Sequence, residues 1–529
     1  MNKQTFIQGA MILMVAGIIN RILGFIPRIL LPRIIGAEGV GLYQLGYPFF
    51  IVLVTIISGG IPLAVAKLVA EAESARQPSR SESILRTSLV FTVGLGVFFT
   101  IIYVVGARWI SQNILTDPRV YQTFLAMSPM IIIVAISSVY RGYFQGKQDM
   151  IPSAISSIME TIARIICVLW FSYLLLPMGI AYGAAGAMLG VAAGEVVGMA
   201  VILWQYRRLR KRVKKQPPLA SKATVPNSNN TNTIKFKHSL GRILNIAIPV
   251  TGGRLVGSLS YLLESITTAQ SLAIAGIATA VATSQYGALQ GMIIPLLLLP
   301  GALTSSLAVS LVPSLAEAQA QGDMKTIHLR LHQSLRLALV SGAPFAAMMY
   351  VLAEPICMFI YNNSEIAGML KVMAPFALFL YVQAPLQATL QALDKPGRAL
   401  LNTLIGAVIK ITLIFYLASN PSFAIYGAII ALIVNMMVVT ILHGYSVAHI
   451  LKFRMPFLDT IKVICVMIIM AGAGKFIFYD TIISSNLGIQ LTASIGIAGI
   501  LYLILSALMG LIDFSDMKRI PFLGKYFRS

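Results

Sequence analysis

Arg21 and Arg28 lie inside the first apolar stretch of the chain, residues 6–31. Their seven-residue spacing puts both guanidinium groups on one face of a helix. Gly17 and Gly24 share that face and leave room beside the charges. An arginine at the centre of a membrane span costs about 2.5–3.5 kcal/mol on insertion scales and needs a partner, water or an anion. No Asp or Glu precedes Glu38, so no acid in this stretch can neutralise the pair. A cationic cavity for a negative group follows, and guanidinium forks suit the oxygens of carboxylates or phosphates.

The elements that hold these residues are apolar throughout. Hydrophobic residues make up 57% of the 529-residue chain, charged residues 11%, and the mean hydropathy is +0.83. Such a composition defines a polytopic membrane protein. The net charge of +22 does not point to nucleic acid, because most of it lies in short connections between apolar runs, where orientation across the membrane accounts for it. Cys167, Cys357 and Cys465 fall in or beside spans without a CxxC neighbour, which suggests neither a disulfide framework nor a metal site. The N-terminal run is too long for a cleaved signal peptide, carries two arginines and lacks a small-residue cleavage site.

Fourteen spans are predicted, near 6–31, 43–66, 84–107, 121–141, 151–176, 182–204, 240–264, 281–312, 331–355, 369–392, 397–418, 424–449, 459–479 and 490–512. Pro295 and Pro300 predict a bend in the eighth. With both termini in the cytoplasm, about 30 Lys and Arg fall in cytoplasmic segments, about 5 in outer loops and about 5 within spans, in accord with the positive-inside rule. The basic stretch 205–238 reads as a flexible cytoplasmic linker, and 513–529 as a cytoplasmic tail anchored at the interface.

The linker separates two similar halves. Leu63-Ala64-Val65 recurs as Leu307-Ala308-Val309, Met127-Ser128-Pro129 as Met373-Ala374-Pro375, and Tyr182-Gly183-Ala184 as Tyr426-Gly427-Ala428, with offsets of 244–246 residues. The expected fold is all-α, with 14 transmembrane helices. Residues 1–204 and 239–450 form two six-helix lobes in a parallel pseudo-twofold repeat, and 451–512 adds two C-terminal helices. Transporters of this kind place their substrate site between the halves. Arg21-Ile22-Leu23-Gly24 aligns with Arg254-Leu255-Val256-Gly257, and Arg164 with Lys410; Tyr261 takes the place of Arg28. Random snorkelling cations would not respect a repeat.

Arg164 follows Glu160 by four residues, the spacing of a structural ion pair within one helix. Glu195 could pair with a cationic helix or carry a coupling proton. Gln383, Gln387 and Gln391 form one stripe, whose amides would suit either sugar hydroxyls or interhelical hydrogen bonds. Gly186, Gly190, Gly194 and Gly198 are GxxxG steps for close helix packing. His328 and His332 are four apart with no further ligand cluster, so no metal is expected. No catalytic set and no P-loop occur, so neither an enzyme, a cofactor nor direct use of ATP is indicated.

At Asn20-Arg21-Ile22-Leu23-Gly24-Phe25, Arg28 and Ile35-Gly36-Ala37-Glu38-Gly39-Val40-Gly41-Leu42-Tyr43, the chain resembles the polysaccharide-transport branch of the MATE-like (MOP) flippase superfamily. The stretches 61–72 and Arg141-Gly142-Tyr143-Phe144-Gln145-Gly146 strengthen the resemblance, which is greatest to the sporulation members and more distant to the MurJ-like lipid II flippases. It implies export of an undecaprenyl-diphosphate-linked saccharide across the bacterial plasma membrane by alternating access. The expected cargo is a peptidoglycan precursor, the spore cortex being one destination. Expected partners are that anionic lipid-linked saccharide and membrane lipids, with cell-wall synthesis proteins as further candidates; nucleic acid is not one. The substrate-binding set is then Arg21, Arg28 and Arg254 for the diphosphate, with Gln383 and Gln387 as amides suited to sugar hydroxyls and Lys410 as a further candidate of open role. A cation or drug antiporter of the same superfamily would need carboxylates where this chain has arginines. A non-transporting scaffold is the other alternative.

Overall fold

The computed structural model describes residues 6–215, 236–453 and 457–511. Eighteen α-helices, joined by short turns and 3₁₀ or π segments, and no strand occur among them. Thirteen helical segments among the described residues are long and apolar enough to cross a membrane. The first, Met11–Ser74, is broken at Gly36; counting its two arms separately gives the fourteen expected.

The helices pack as two units, the first running to Ala273 and including Ala278–Gly287, the second holding Ile274–Ile277 and the described chain from Ala288 onward. The first contains α1 (Phe6–Ser58), α2 (Ile61–Ser74), α3 (Pro78–Trp109), α4 (Val120–Gly146), α5 (Ile151–Leu175), α6 (Ile180–Lys215), α7 (Phe236–Ile274) and α8 (Thr279–Gly287). The second contains α9 (Ile294–Leu298), α10 (Gly301–Ala320), α11 (Met324–Val351), α12 (Ala353–Tyr361), α13 (Ala367–Met373), α14 (Ala377–Ala392), α15 (Pro396–Leu413), α16 (Ile425–Leu451), α17 (Phe457–Lys475) and α18 (Leu487–Leu508). The bend expected in the eighth span is a π segment, Ala288–Ile293, followed by a turn at Leu299 and Pro300. Pro295 lacks an N–H, so the preceding turn cannot close its usual ladder.

α1 is 53 residues long, about 80 Å at 1.5 Å per residue, which is far more than one crossing needs. It turns at Gly36, whose φ of 67° and ψ of 177° suit glycine and few other residues. A polar clasp holds the turn. Arg119 Nη1 donates to Glu38 at 2.5 Å, Arg119 also grips the buried Asp117 at 2.9 Å, and Thr283 Oγ1 donates to Asp117 at 2.7 Å. Asp117 first, and then Glu38, hold the Arg119 guanidinium above its ordinary pKa. α8 comes so close here that a Cβ on Gly41 would lie 2.0 Å from the Thr283 carbonyl oxygen.

The core of the first unit gathers Leu42, Phe124, Met127 and Met188, all fully buried. That of the second gathers Leu315, Leu331, Leu390 and Val447. In the second unit Tyr502 Oη donates to Val340 O at 2.9 Å, docking α18 on α11, and Asn402 Nδ2 donates to Ser446 Oγ at 3.0 Å, tying α15 to α16. The stretch 205–215, read from sequence as flexible linker, continues α6 as helix instead. It is rich in Arg and Lys, good helix formers, and has no proline before Pro217. Residues 216–235 of that linker and the tail 513–529 lie outside the described residues.

The glycines of α6 admit the backbone of α5. A Cβ on Gly186 would lie 2.4 Å from Phe171 O, one on Gly190 2.3 Å from Val168 Cα, and one on Gly194 2.7 Å from Arg164 Cβ. Gly190→Ala must therefore move backbone, and an overpacking cost of about 1–3 kcal/mol is expected as a lowered midpoint of thermal unfolding in detergent. Gly472→Ala in α17 has open space around it and is expected to leave that midpoint unchanged or raise it.

Candidate functional site

The first arm of α1 carries Arg21 and Arg28, both exposed, as is Arg254 on α7. The Arg28 guanidinium carbon lies 5.6 Å from the centre of the Phe25 ring, which gives the charge a favourable π face. Arg254 Nη1 donates to Gly59 O at 2.7 Å. That carbonyl belongs to the end of α1, where helix carbonyls lose their partners and cations are favoured. Gly60 makes the approach possible, since a Cβ there would lie 2.2 Å from Ala247 O.

Further contacts fasten α7 along its length. Arg242 pairs with Glu71 at 2.6 Å, Tyr261 Oη donates to Gln44 Oε1 at 3.2 Å, and Gln270 Nε2 donates to Asn113 O at 2.9 Å and Ile114 O at 2.8 Å. The sequence repeat assigns α7 to the second half, yet it packs in the first unit. Arg21, Arg28 and Arg254 all fall in the first unit.

The same unit holds a four-charge network. Arg164 Nη2 donates to Glu160 Oε1 and, at 3.0 Å, to Glu195 Oε1, while Arg141 Nη2 donates to Glu160 Oε2 at 2.5 Å. The pair predicted within α5 is therefore the centre of a larger set reaching α4 and α6. Glu160 and Glu195 side chains are only 8% and 13% exposed, so each needs this compensation. The glycine ladder of α6 brings Arg164 and Glu195 within reach. Arg141 was not legible as a member, because its partner lies 19 residues away on another helix.

The remaining candidates lie in the second unit. Gln383 and Gln387 are half-buried on α14 and make no hydrogen bond among the described residues. Lys410 is 7% exposed, within α15. His332 pairs with Asp459 at 3.1 Å, His328 Nε2 lies 2.9 Å from Leu451 O, and no group of metal ligands occurs among the described residues.

A chain of membrane-crossing helices with a cationic face on its first unit belongs to a recognisable class. Residues 6–319 match the family described as Polysaccharide biosynthesis protein, and 258–417 match the MatE family. The chain belongs to the polysaccharide biosynthesis protein family, within the MATE-like fold. It is 38% identical over 525 residues to Stage V sporulation protein B of Bacillus subtilis (strain 168), covering 99% of each chain. It is 26% identical over 545 residues to Lipid II flippase MurJ of the same organism, covering 97% of each. Among solved structures, Lipid II flippase MurJ in an inward closed conformation superposes with a TM-score of 0.69 at 16% identity, over 94% of this chain and 98% of that one.

The network makes a quantitative expectation. In a double-mutant cycle of Arg164→Met with Glu195→Gln, followed by unfolding in detergent, the coupling should be about 0.5–3 kcal/mol. Additive losses would mean that the two side chains do not stabilise one another.

Proposed function

We propose that this protein is a flippase that carries an undecaprenyl-diphosphate-linked saccharide, a peptidoglycan precursor, across the bacterial plasma membrane by alternating access, with both termini in the cytoplasm. The observation that carries the reading is the set of three exposed arginines on α1 and α7 of one packing unit, with no acid in α1 before Glu38. Guanidinium groups bind phosphate oxygens through paired N–H donors, and the low dielectric of a membrane cavity strengthens the attraction. The similarity to a protein named as a lipid II flippase supports a lipid-linked saccharide as cargo. A cation antiporter would be expected to place carboxylates on this face, and residues 1–37 contain none.

In this reading Arg21, Arg28 and Arg254 hold the diphosphate, while the polyprenyl tail stays in lipid. Gln383, Gln387 and Lys410 are secondary candidates on the second unit. The test is flipping of a defined lipid-linked disaccharide by the purified protein in proteoliposomes, with and without a membrane potential. Arg21→Ala should reduce flipping by about tenfold or more, and Arg21→Lys should restore only part of it, because an ammonium cannot form the two-pronged contact. Transport undiminished in Arg21→Ala would overturn the assignment. A scaffold role predicts no flipping from the unmodified protein.

A further inference from the structure

The second arm of α1 carries two tyrosines whose rings pack against the core of the first unit while their hydroxyls are left over. Tyr43, Gln44 and Tyr47 share one helical face, and all three are half-buried. The Tyr43 and Tyr47 rings lie parallel, with centroids 5.8 Å apart and planes 9° apart. Gln44 Oε1 accepts the Tyr261 hydroxyl at 3.2 Å. Its amide N–H groups, and the hydroxyls of Tyr43 and Tyr47, have no hydrogen-bond partner among the described residues. The patch lies on the same helix as Arg21 and Arg28 and in the same unit.

Half-buried polar groups without protein partners lose free energy unless a ligand or water meets them. The chemistry offered here is neutral. Two phenol hydroxyls each donate and accept, and an amide donates beside them. A charged group gains little from such a set compared with the nearby guanidinium groups. A sugar is its complement, with neighbouring hydroxyls and acetamido groups to exchange hydrogen bonds and apolar C–H faces to lie against aromatic rings.

We propose that Tyr43, Gln44 and Tyr47 form a saccharide-binding platform on the helix that carries Arg28, so that α1 reads both parts of one substrate: the diphosphate on its first arm and the sugar on its second. The proposal rests on the functional reading given above. It makes the platform a specificity determinant, since a site built to hydrogen-bond a ligand discriminates strongly against an analogue that lacks the bonding groups.

The experiment compares binding of two probes to the purified full-length protein in nanodiscs: undecaprenyl diphosphate without sugar, and undecaprenyl-diphosphate-linked N-acetylated disaccharide. The unmodified protein should prefer the sugar-bearing lipid. Tyr43→Phe/Tyr47→Phe keeps the stacked rings and removes only the hydroxyls. It should weaken binding of the sugar-bearing lipid by about tenfold and leave the bare diphosphate lipid unaffected. Gln44→Leu should act in the same direction, and Arg28→Gln should weaken both probes. The platform is overturned if the tyrosine double variant keeps the preference, if it weakens both probes equally, or if the unmodified protein binds the two alike. If the unmodified protein binds neither probe, the functional reading itself fails, which is a distinguishable result.

Discussion

Removing a guanidinium from water costs several kcal/mol unless its donors are met, and the first unit meets that cost in two ways. Arg141 and Arg164 are set against Glu160 and Glu195, two charges of each sign, joined in one network across α4, α5 and α6. Arg21, Arg28 and Arg254 sit on exposed helix faces instead. The network cancels within itself, so the positive potential of the face comes from the three exposed arginines. A compensated interior and a cationic surface are thus built from the same residue type, distinguished only by which helices supply carboxylates.

Glycine decides where those helices can meet. Gly36 breaks α1, and the Glu38–Arg119–Asp117–Thr283 clasp fixes the break. Gly59 and Gly60 end it, and Arg254 caps the Gly59 carbonyl. The ladder on α6 seats α5 so closely that Arg164 and Glu195 can touch. At Gly60 and along α6 a missing side chain admits a neighbour's backbone, whereas Gly36 has open space and serves through its positive φ; polar contacts hold each site.

Much of this was legible in the sequence because it is local. The common face of Arg21 and Arg28, the spacing of Glu160 and Arg164, and the GxxxG steps of α6 all follow from helical periodicity. Contacts between distant residues carried no such signal. Arg141 meets Glu160, and Arg164 meets Glu195, across helix interfaces that periodicity does not specify. The repeat records similarity along the chain and carried no signal for the partners that Arg242, Arg254, Tyr261 and Gln270 of α7 find. The polarity of 205–215 suggested a linker, yet polar residues with high helix propensity extend α6. Tyr43, Gln44 and Tyr47 had a readable spacing, but their unused hydrogen-bonding groups became apparent only once their neighbours were placed.

The capping bond of Arg254 also explains why an arginine suits that position. A guanidinium has five N–H donors in a rigid plane, and here one bond to Gly59 O is made. That bond fixes the plane while the remaining donors stay on an exposed face of α7. A lysine could bind the carbonyl or an anion, but its ammonium is a compact point charge on a flexible stem and would not hold both in a set geometry. Orientation fixed before binding lowers the entropy lost when a ligand arrives. The helix-capping contact and the proposed anion contact therefore reinforce one another, and the C-terminal end of α1 becomes part of the proposed binding surface.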